Sequence, residues 1–315
     1  MRLNYFGYYV ENNNSGAKYL YDIREIISAF CRHGSVELKK TFVYNGENVY
    51  LFHHIGDLYL FITTRSNEII KKINSENLDV NEIYSALEAN ECLGFASYVY
   101  IKDKYICFSS TMLAPKITWL SFFINELFKK IGCPQYNVKF NAFLYQSSRD
   151  EVMNMPFIGR TTIEFSKENT LGEDFIRFIG ASREDIADFG SFELVIKPEK
   201  RRSVDKLVKK ILPKISDQGM TKFIAKAKED VEDSLTDLYI IGRGAICDTI
   251  SPKNENDIYN KILRKTANNK ILEEKITEFT NNGYITQNRP EEIAHYSNAD
   301  AWANIIPHLQ ETTES

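Results

Sequence analysis

The chain has 315 residues, 43% of them hydrophobic and 13% aromatic, which allows two domains with a core each and excludes disorder throughout. No apolar run approaches the ~20 residues that span a bilayer, since the richest stretch, Ile117 to Phe128, is broken by Thr118, Ser121, Asn125 and Glu126. The formal net charge of −4 conceals a polarised distribution: Lys197 to Asp230 carries eleven basic residues against five acidic ones, a local +6 that leaves −10 for the remainder.

The first predicted domain is 1–148. The start MRLNYFGYYVENNN lacks the basic lead and apolar core of a secretion signal, so a soluble cytoplasmic chain is expected. Alternation over Leu3 to Val10 predicts a strand, and the spacing of Leu20, Ile23, Ile26, Ile27 and Phe30 predicts a helix over Tyr19 to Phe30. Strands are predicted at Val36 to Tyr44, Val49 to Ile55 and Leu58 to Thr64, the last two joined by the two-residue turn Gly56-Asp57. Helical patterns follow at Glu68 to Ile73 and Val80 to Leu87. A hairpin then pairs Phe95 to Ile101 with Tyr105 to Ser110. A helix from Lys116 to Ile131 stops at Gly132-Cys133-Pro134, and Val138 to Tyr145 reads as a strand.

The second domain, 149–244, holds strands at Phe157 to Phe165 and Phe192 to Lys197, with a short helix at Glu173 to Ile179 between them. Ser203 reads as the N-cap of an amphipathic helix buried through Val204, Leu207, Val208, Ile211 and Leu212, with Lys206, Lys209 and Lys210 opposite. A second helix is predicted over 222–236, burying Phe223, Ile224, Ala227, Val231 and Leu235 and exposing Lys222 and Lys226, with Lys228 at its flank. The third part, 245–315, is a helical extension able to pack back on the first domain. It has helices near Ile258 to Leu263 and Ile271 to Phe279, and a last one over Glu291 to His308. Hairpins and helices intermingle without a βα rhythm, which predicts an α+β protein of two domains with mixed, mainly antiparallel sheets.

Catalytic and cofactor signatures are weak. The five cysteines (Cys31, Cys92, Cys107, Cys133, Cys247) are odd in number and widely spaced, so a reduced chain with each thiol in a core is expected. Gly242-Arg243-Gly244 lacks the third glycine of a dinucleotide fingerprint and reads as a tight turn, and there is no P-loop. His53 and His54 point to opposite faces of a strand, and His33, His295 and His308 have no ligand spacing, so no metal or cofactor is expected. Asp22 followed by Glu37-Leu38-Lys39 resembles the acid and E-x-K carboxylates of metal-dependent nucleases, which keeps a nuclease as an alternative. No Ser/His/Asp or Cys/His arrangement supports a non-nuclease enzyme.

The basic block is the strongest feature. Its lysines and arginines can meet successive phosphates, and few Asn or Gln accompany them, which favours backbone binding without sequence choice. A solvated lysine-rich face, or a protein-interaction module, is the bland alternative.

Asp150-Glu151-Val152-Met153-Asn154-Met155-Pro156-Phe157-Ile158-Gly159-Arg160-Thr161-Thr162 resembles a segment of the RexA family, the lambda-type phage exclusion proteins. Cys92-Leu93-Gly94-Phe95, Leu194-Val195-Ile196-Lys197-Pro198 and Ala227-Lys228 through Leu235-Thr236 follow in the same order, so the resemblance covers roughly 85 to 250. It implies a prophage-encoded, homodimeric DNA-binding protein with little sequence preference and an RdgC-like fold. It also implies a role in excluding superinfecting phage together with RexB, a small membrane protein, and no enzymatic activity. The contacts it implies are Lys226 and Lys228, then Lys197, Lys200, Arg201 and Arg202, then Lys206, Lys209 and Lys210. Arg160 is either a phosphate contact or an ion-pairing residue. A hinge near 145–150 or 240–245 would open the dimer around duplex DNA.

Overall fold

The computed structural model describes residues 1–65, 71–73, 80–82, 87–88, 91–166, 169–180, 190–215, 217–228, 235–267, 269–283, 288, 290–302 and 305. In chain order the elements are β1 (Arg2–Asn12), β2 (Lys18–Tyr19), α1 (Arg24–His33), α2 (Val36–Lys40), β3 (Val43–Tyr44), β4 (Glu47–Ile55), β5 (Leu58–Thr64), β6 (Lys71–Ile73) and β7 (Val80–Glu82). Next come β8 (Gly94–Ile101), β9 (Tyr105–Ser109), α3 (Ile117–Lys130), β10 (Tyr136–Ala142), β11 (Leu144–Tyr145), α4 (Arg149–Asn154), β12 (Phe157–Ser166) and α5 (Thr170–Ile179). Then follow β13 (Ser191–Ile196), α6 (Asp205–Ile211), β14 (Met220–Lys228), β15 (Thr236–Ile241), β16 (Gly244–Ala245) and β17 (Cys247–Thr249). The helices α7 (Glu255–Ala267), α8 (Lys270–Thr280) and α9 (Glu291–Ala294) follow, with 3-10 turns at Leu212–Lys214, His295–Ser297 and Ala299–Trp302. The protein is α+β, and its sheets are antiparallel.

Two compact units divide the chain, one of Leu3–Ala142 with Asn254–Ser315 and the other of Phe143–Lys253. In the first, the strands run β10-β1-β9-β8-β5-β4-β3. One face is covered by α1 and α3 through Ile26, Phe30, Leu120, Phe123 and Leu127, against Tyr8, Val10, Val99, Ile101 and Phe108. The chain returns from its C-terminal part to complete that core with Ile293, Trp302 and Ile305. The other face meets α7 and α8: Tyr98 donates to Glu255 at 3.1 Å, and ring pairs join Tyr100 to Tyr259 and Tyr9 to Phe279. With both faces covered, strands such as β8 are apolar almost throughout. The β4–β5 turn forms at Gly56-Asp57, with Gly56 at φ +55°.

Several expected elements differ. Val36 to Lys40 is a helix, because Ser35 caps it by accepting from the Leu38 amide at 3.1 Å. Its V-E-L-K-K alternation reads as a strand only while that cap is ignored. Lys71–Ile73 and Val80–Glu82 pair as antiparallel strands where helical patterns are expected; the rest of 66–86 lies outside the described residues. Among the described residues, the expected last helix runs only from Glu291 to Ala294 before the 3-10 turns; Ile305 is again helical, and 303–304 and 306–315, with His308, lie outside the described residues.

In the second unit the strand order is β13-β12-β14-β15. The expected helix over 222–236 is a strand from Met220 to Lys228; 229–234 lies outside the described residues. Phe223, Ala225 and Ala227 alternate into a core with Ile158 and Ile163 of β12, and Val152 of α4 and Val208 of α6 pack on the same side. Helix α4 is held by a capping box between Ser148 and Glu151. A register shift lies between Ile158 and Thr161, so Gly159 and Arg160 sit at a bulge.

Gly242, at φ +92°, turns the chain from β15 into β16, and Gly244 lies against the Tyr239 ring so closely that a β-carbon there would overlap it. Gly244→Ala is therefore expected to destabilise the second unit by about 1–3 kcal/mol. Denaturant unfolding checks this, and an unchanged midpoint would mean the Tyr239 ring has room to turn away.

Candidate nucleic-acid interface

The basic residues fall into two groups with different electrostatic surroundings. The first is the connection from β13 to α6 and the outer side of α6. Lys197, Lys200, Arg201, Arg202, Lys206 and Lys210 are exposed, and Lys209 is half-buried. Arg201 adopts φ +65°, and the Arg202 amide bonds the Glu199 carbonyl at 2.9 Å, which makes a tight turn of the lysine–arginine run. The end of this turn is fastened to β12. Ser203 Oγ accepts from the Ile158 amide at 3.0 Å and donates to its carbonyl at 3.1 Å, and the Val204 amide adds a bond of 2.8 Å to the same carbonyl. Ser203 Oγ also accepts from the Asp205 amide at 3.1 Å, although the residue flanking α6 is Val204. Arg202 pairs with Glu199 at 3.2 Å, with both side chains more than three-quarters exposed. Such a pair is worth about 0.2–1 kcal/mol and yields readily to another anion. Among the described residues, Lys197, Lys200, Arg201, Lys206, Lys209 and Lys210 carry no ion pair.

Two departures from the expected helix face arise here. Leu207, expected to be buried, is 48% exposed. The helix ends at Ile211 because Pro213 cannot continue it, and Leu212–Lys214 forms a 3-10 turn. Arg149 donates to the Leu212 carbonyl, to the Ile215 carbonyl at 2.9 Å and to Asp217, fastening that turn to α4.

The second group lies on β14. Because β14 is a strand, Lys222, Lys226 and Lys228 share the face opposite the core, where a helix would have spread them. They do not stand alone. Lys226 pairs with Asp237, its direct cross-strand neighbour on β15, at 3.1 Å. Lys222 reaches Glu193 on β13 at 3.4 Å, across Glu164 of β12. Lys228 lies over the Phe157 ring, 5.2 Å from its centre. Arg160 is exposed at the β12 bulge and carries no ion pair among the described residues. Sequence reasoning missed Glu193 and Asp237. The period-two burial of Phe223, Ala225 and Ala227 was the signal that could have shown Lys226 to be a strand residue with a cross-strand partner.

The nuclease constellation does not assemble. Glu37 and Lys39 lie on α2, where a spacing of two residues puts side chains on nearly opposite sides. Glu37 pairs with Lys40 at 3.6 Å, and Lys39 donates to the Cys31 carbonyl at 2.8 Å. Asp22 is held by the Arg24 guanidinium at 2.7 Å, at the edge of an open polar cleft of about 520 Å³ that also contains Arg32, His53 and Asp57. His53 Nε2 lies 2.9 Å from the Gly56 carbonyl oxygen. Among the described residues, no three His, Cys, Asp or Glu side chains converge as metal ligands would. Among them, too, no helix is long and apolar enough to cross a membrane.

The thiols separate by burial. Cys107 and Cys133 are buried, Cys31 and Cys247 are half-buried, and Cys92 is exposed, against the expectation that every cysteine lies in a core. Burial pushes the Cys31 thiol up to about 12 and the Cys133 thiol up to about 11. At pH 8 the thiolate of Cys31 is then roughly one part in ten thousand. A thiol reagent at that pH is expected to modify Cys92 in the folded protein and the buried Cys107 and Cys133 only after denaturation; rapid labelling of either of them would contradict their burial.

Residues 1–235 match the family model described as "RexA: Intracellular sensor of Lambda phage, Abi component". The match takes in the N-terminal strands and helices, beyond the stretch where the sequence motifs lie. The chain is 29% identical over 204 residues to the protein rexA of Escherichia phage lambda, covering 63% of this chain and 71% of that one. The same figures hold for protein rexA of Enterobacteria phage 434.

Proposed function

Because the chain belongs to the RexA family, we propose that it is the intracellular sensor of a phage exclusion system and senses by binding duplex DNA through its phosphates, with little choice of sequence. The observation that carries this reading is the largely exposed run from Lys197 through Lys210, most of whose cations have no carboxylate partner among the described residues. Cations so placed gain affinity by releasing counterions from DNA. The nine proposed contacts are Lys197, Lys200, Arg201, Arg202, Lys206, Lys209 and Lys210, with Lys226 and Lys228 on the sheet face. A homodimer presents two such surfaces to one duplex. The protein acts in the cytoplasm without a cofactor and without enzymatic turnover, and it signals to a RexB-like membrane protein.

Fluorescence anisotropy with two unrelated duplexes over a salt series tests the binding step. Affinities within about threefold of each other and a log–log salt slope steeper than about −3 are expected. Absent or salt-independent retention would reject the reading in favour of a protein-interaction module. Incubation with plasmid and Mg²⁺ or Mn²⁺ separates the nuclease: retarded but uncut plasmid is expected.

A further inference from the structure

The two lysine groups differ in one respect that bears on how tightly DNA is held. The loop cations are mostly solvent-facing, whereas Lys226 and Lys222 on the sheet face meet carboxylates supplied by other strands of the same sheet. We propose that Asp237 and Glu193 are internal competitors of DNA phosphate: in the free protein they occupy Lys226, one of the nine contacts, and Lys222, a tenth on the same sheet face, and so set the affinity for the duplex. This rests on the proposed DNA-binding function and adds a restraint to it.

The geometry supports competition rather than burial. The Lys226 side chain is 44% exposed while that of Asp237 is 19% exposed, so the ammonium stays reachable from solvent and its partner is the better fixed of the two. Strand pairing fixes it. Lys226 and Asp237 are register partners, and their backbones are held in the β14–β15 ladder. The second pair has the same character: Lys222 and Glu193 are 39% and 48% exposed at 3.4 Å. The carboxylate between them, Glu164, is occupied by the Ser191 hydroxyl at 2.8 Å. Exposed ion pairs are weak, and a duplex presents a dense row of phosphates, so exchange of carboxylate for phosphate is favourable at low salt. Each lysine must first lose its carboxylate, and part of the gain from its phosphate contact is spent there. Cross-strand pairs of opposite charge also lend a sheet modest stability, which is the structural role these pairs would have if they did nothing else.

The test is duplex affinity and salt slope for the full chain and four variants. Asp237→Asn is expected to tighten binding about 5- to 10-fold at 0.1 M salt and to steepen the salt slope by about 0.9, the effect of one further phosphate contact. Glu193→Gln is expected to act in the same direction. Asp237→Asn combined with Lys226→Gln is expected to lose the gain. Glu173→Gln changes net charge equally, on an exposed residue of α5 without an ion pair among the described residues, and is expected to shift affinity less than twofold. Unchanged or weaker binding by both single carboxylate variants, with the wild type binding normally, overturns the competition and leaves the DNA-binding function standing. So does an equal gain from Glu173→Gln, which would reduce the effect to net charge. A wild type that retains no duplex at low salt removes the function itself.

Discussion

Replacing Lys197, Lys200, Arg201 and Arg202 together by alanine is expected to lower affinity for duplex DNA by on the order of 10²–10³-fold at 0.1 M salt and to flatten the salt slope by about 3 to 4. The size follows from counterion release, in which each phosphate contact contributes about 0.9 to the slope on B-DNA. The four residues occupy one turn between β13 and α6, all exposed, and among the described residues only Arg202 has a carboxylate partner. The loss is expected to be the same on unrelated duplexes, because contacts to phosphates carry no base information. The anchor of the turn is Ser203 on Ile158, which the substitutions leave intact, so the fold should survive. Anisotropy on two duplexes, with thermal unfolding as a control for folding, checks this. A loss confined to one duplex would point to base reading, and no loss would move the interface elsewhere.

Trp302→Ala is expected to destabilise the first unit by about 3–5 kcal/mol. Its indole is 2% exposed and packs 5.6 Å from the Phe30 ring of α1 and 6.1 Å from Tyr296, measured between ring centres. Its Nε1–H donates to the Tyr296 carbonyl at 2.8 Å, so truncation opens a cavity and leaves a carbonyl without its donor. The residue comes from the last described segment of the chain yet belongs to the core built on β1, α1 and α3. Denaturant unfolding followed by circular dichroism reads the effect, and Trp302→Phe should recover part of it. A loss below about 1 kcal/mol would mean the C-terminal segment is peripheral to that core.

The sequence made much of the secondary structure legible where local chemistry agrees with the fold. β1, the β4–β5 and β8–β9 hairpins, α3, α7 and α8 lie where alternation, helical spacing and turn residues put them. Misreadings occur where the local signal is ambiguous and a distant partner decides. Phe223, Ile224 and Ala227 fit a helical face as well as a strand, and pairing of Met220–Lys228 between β12 and β15 makes it a strand. At Val36–Lys40 the reverse holds, since alternation suggests a strand and the Ser35 cap makes a helix. The loop half of the basic surface was legible, because a turn with Lys200-Arg201-Arg202 has little choice but to face water. The sheet half was not. Lys222 meets Glu193 across a separation of 29 residues, which no local pattern encodes.

By itself, the sequence determined an α+β protein with a concentrated basic segment, because side-chain periodicity and charge are properties of neighbouring residues. Only the tertiary structure decided which of those cations are free to meet phosphate. Strand pairing sets Asp237 opposite Lys226 and Glu193 within reach of Lys222, whereas in the turn before α6 Lys197, Lys200 and Arg201 have no such partner among the described residues. A lysine's value to an anionic partner depends on the charge beside it in space, and in a β-sheet that charge comes from another strand.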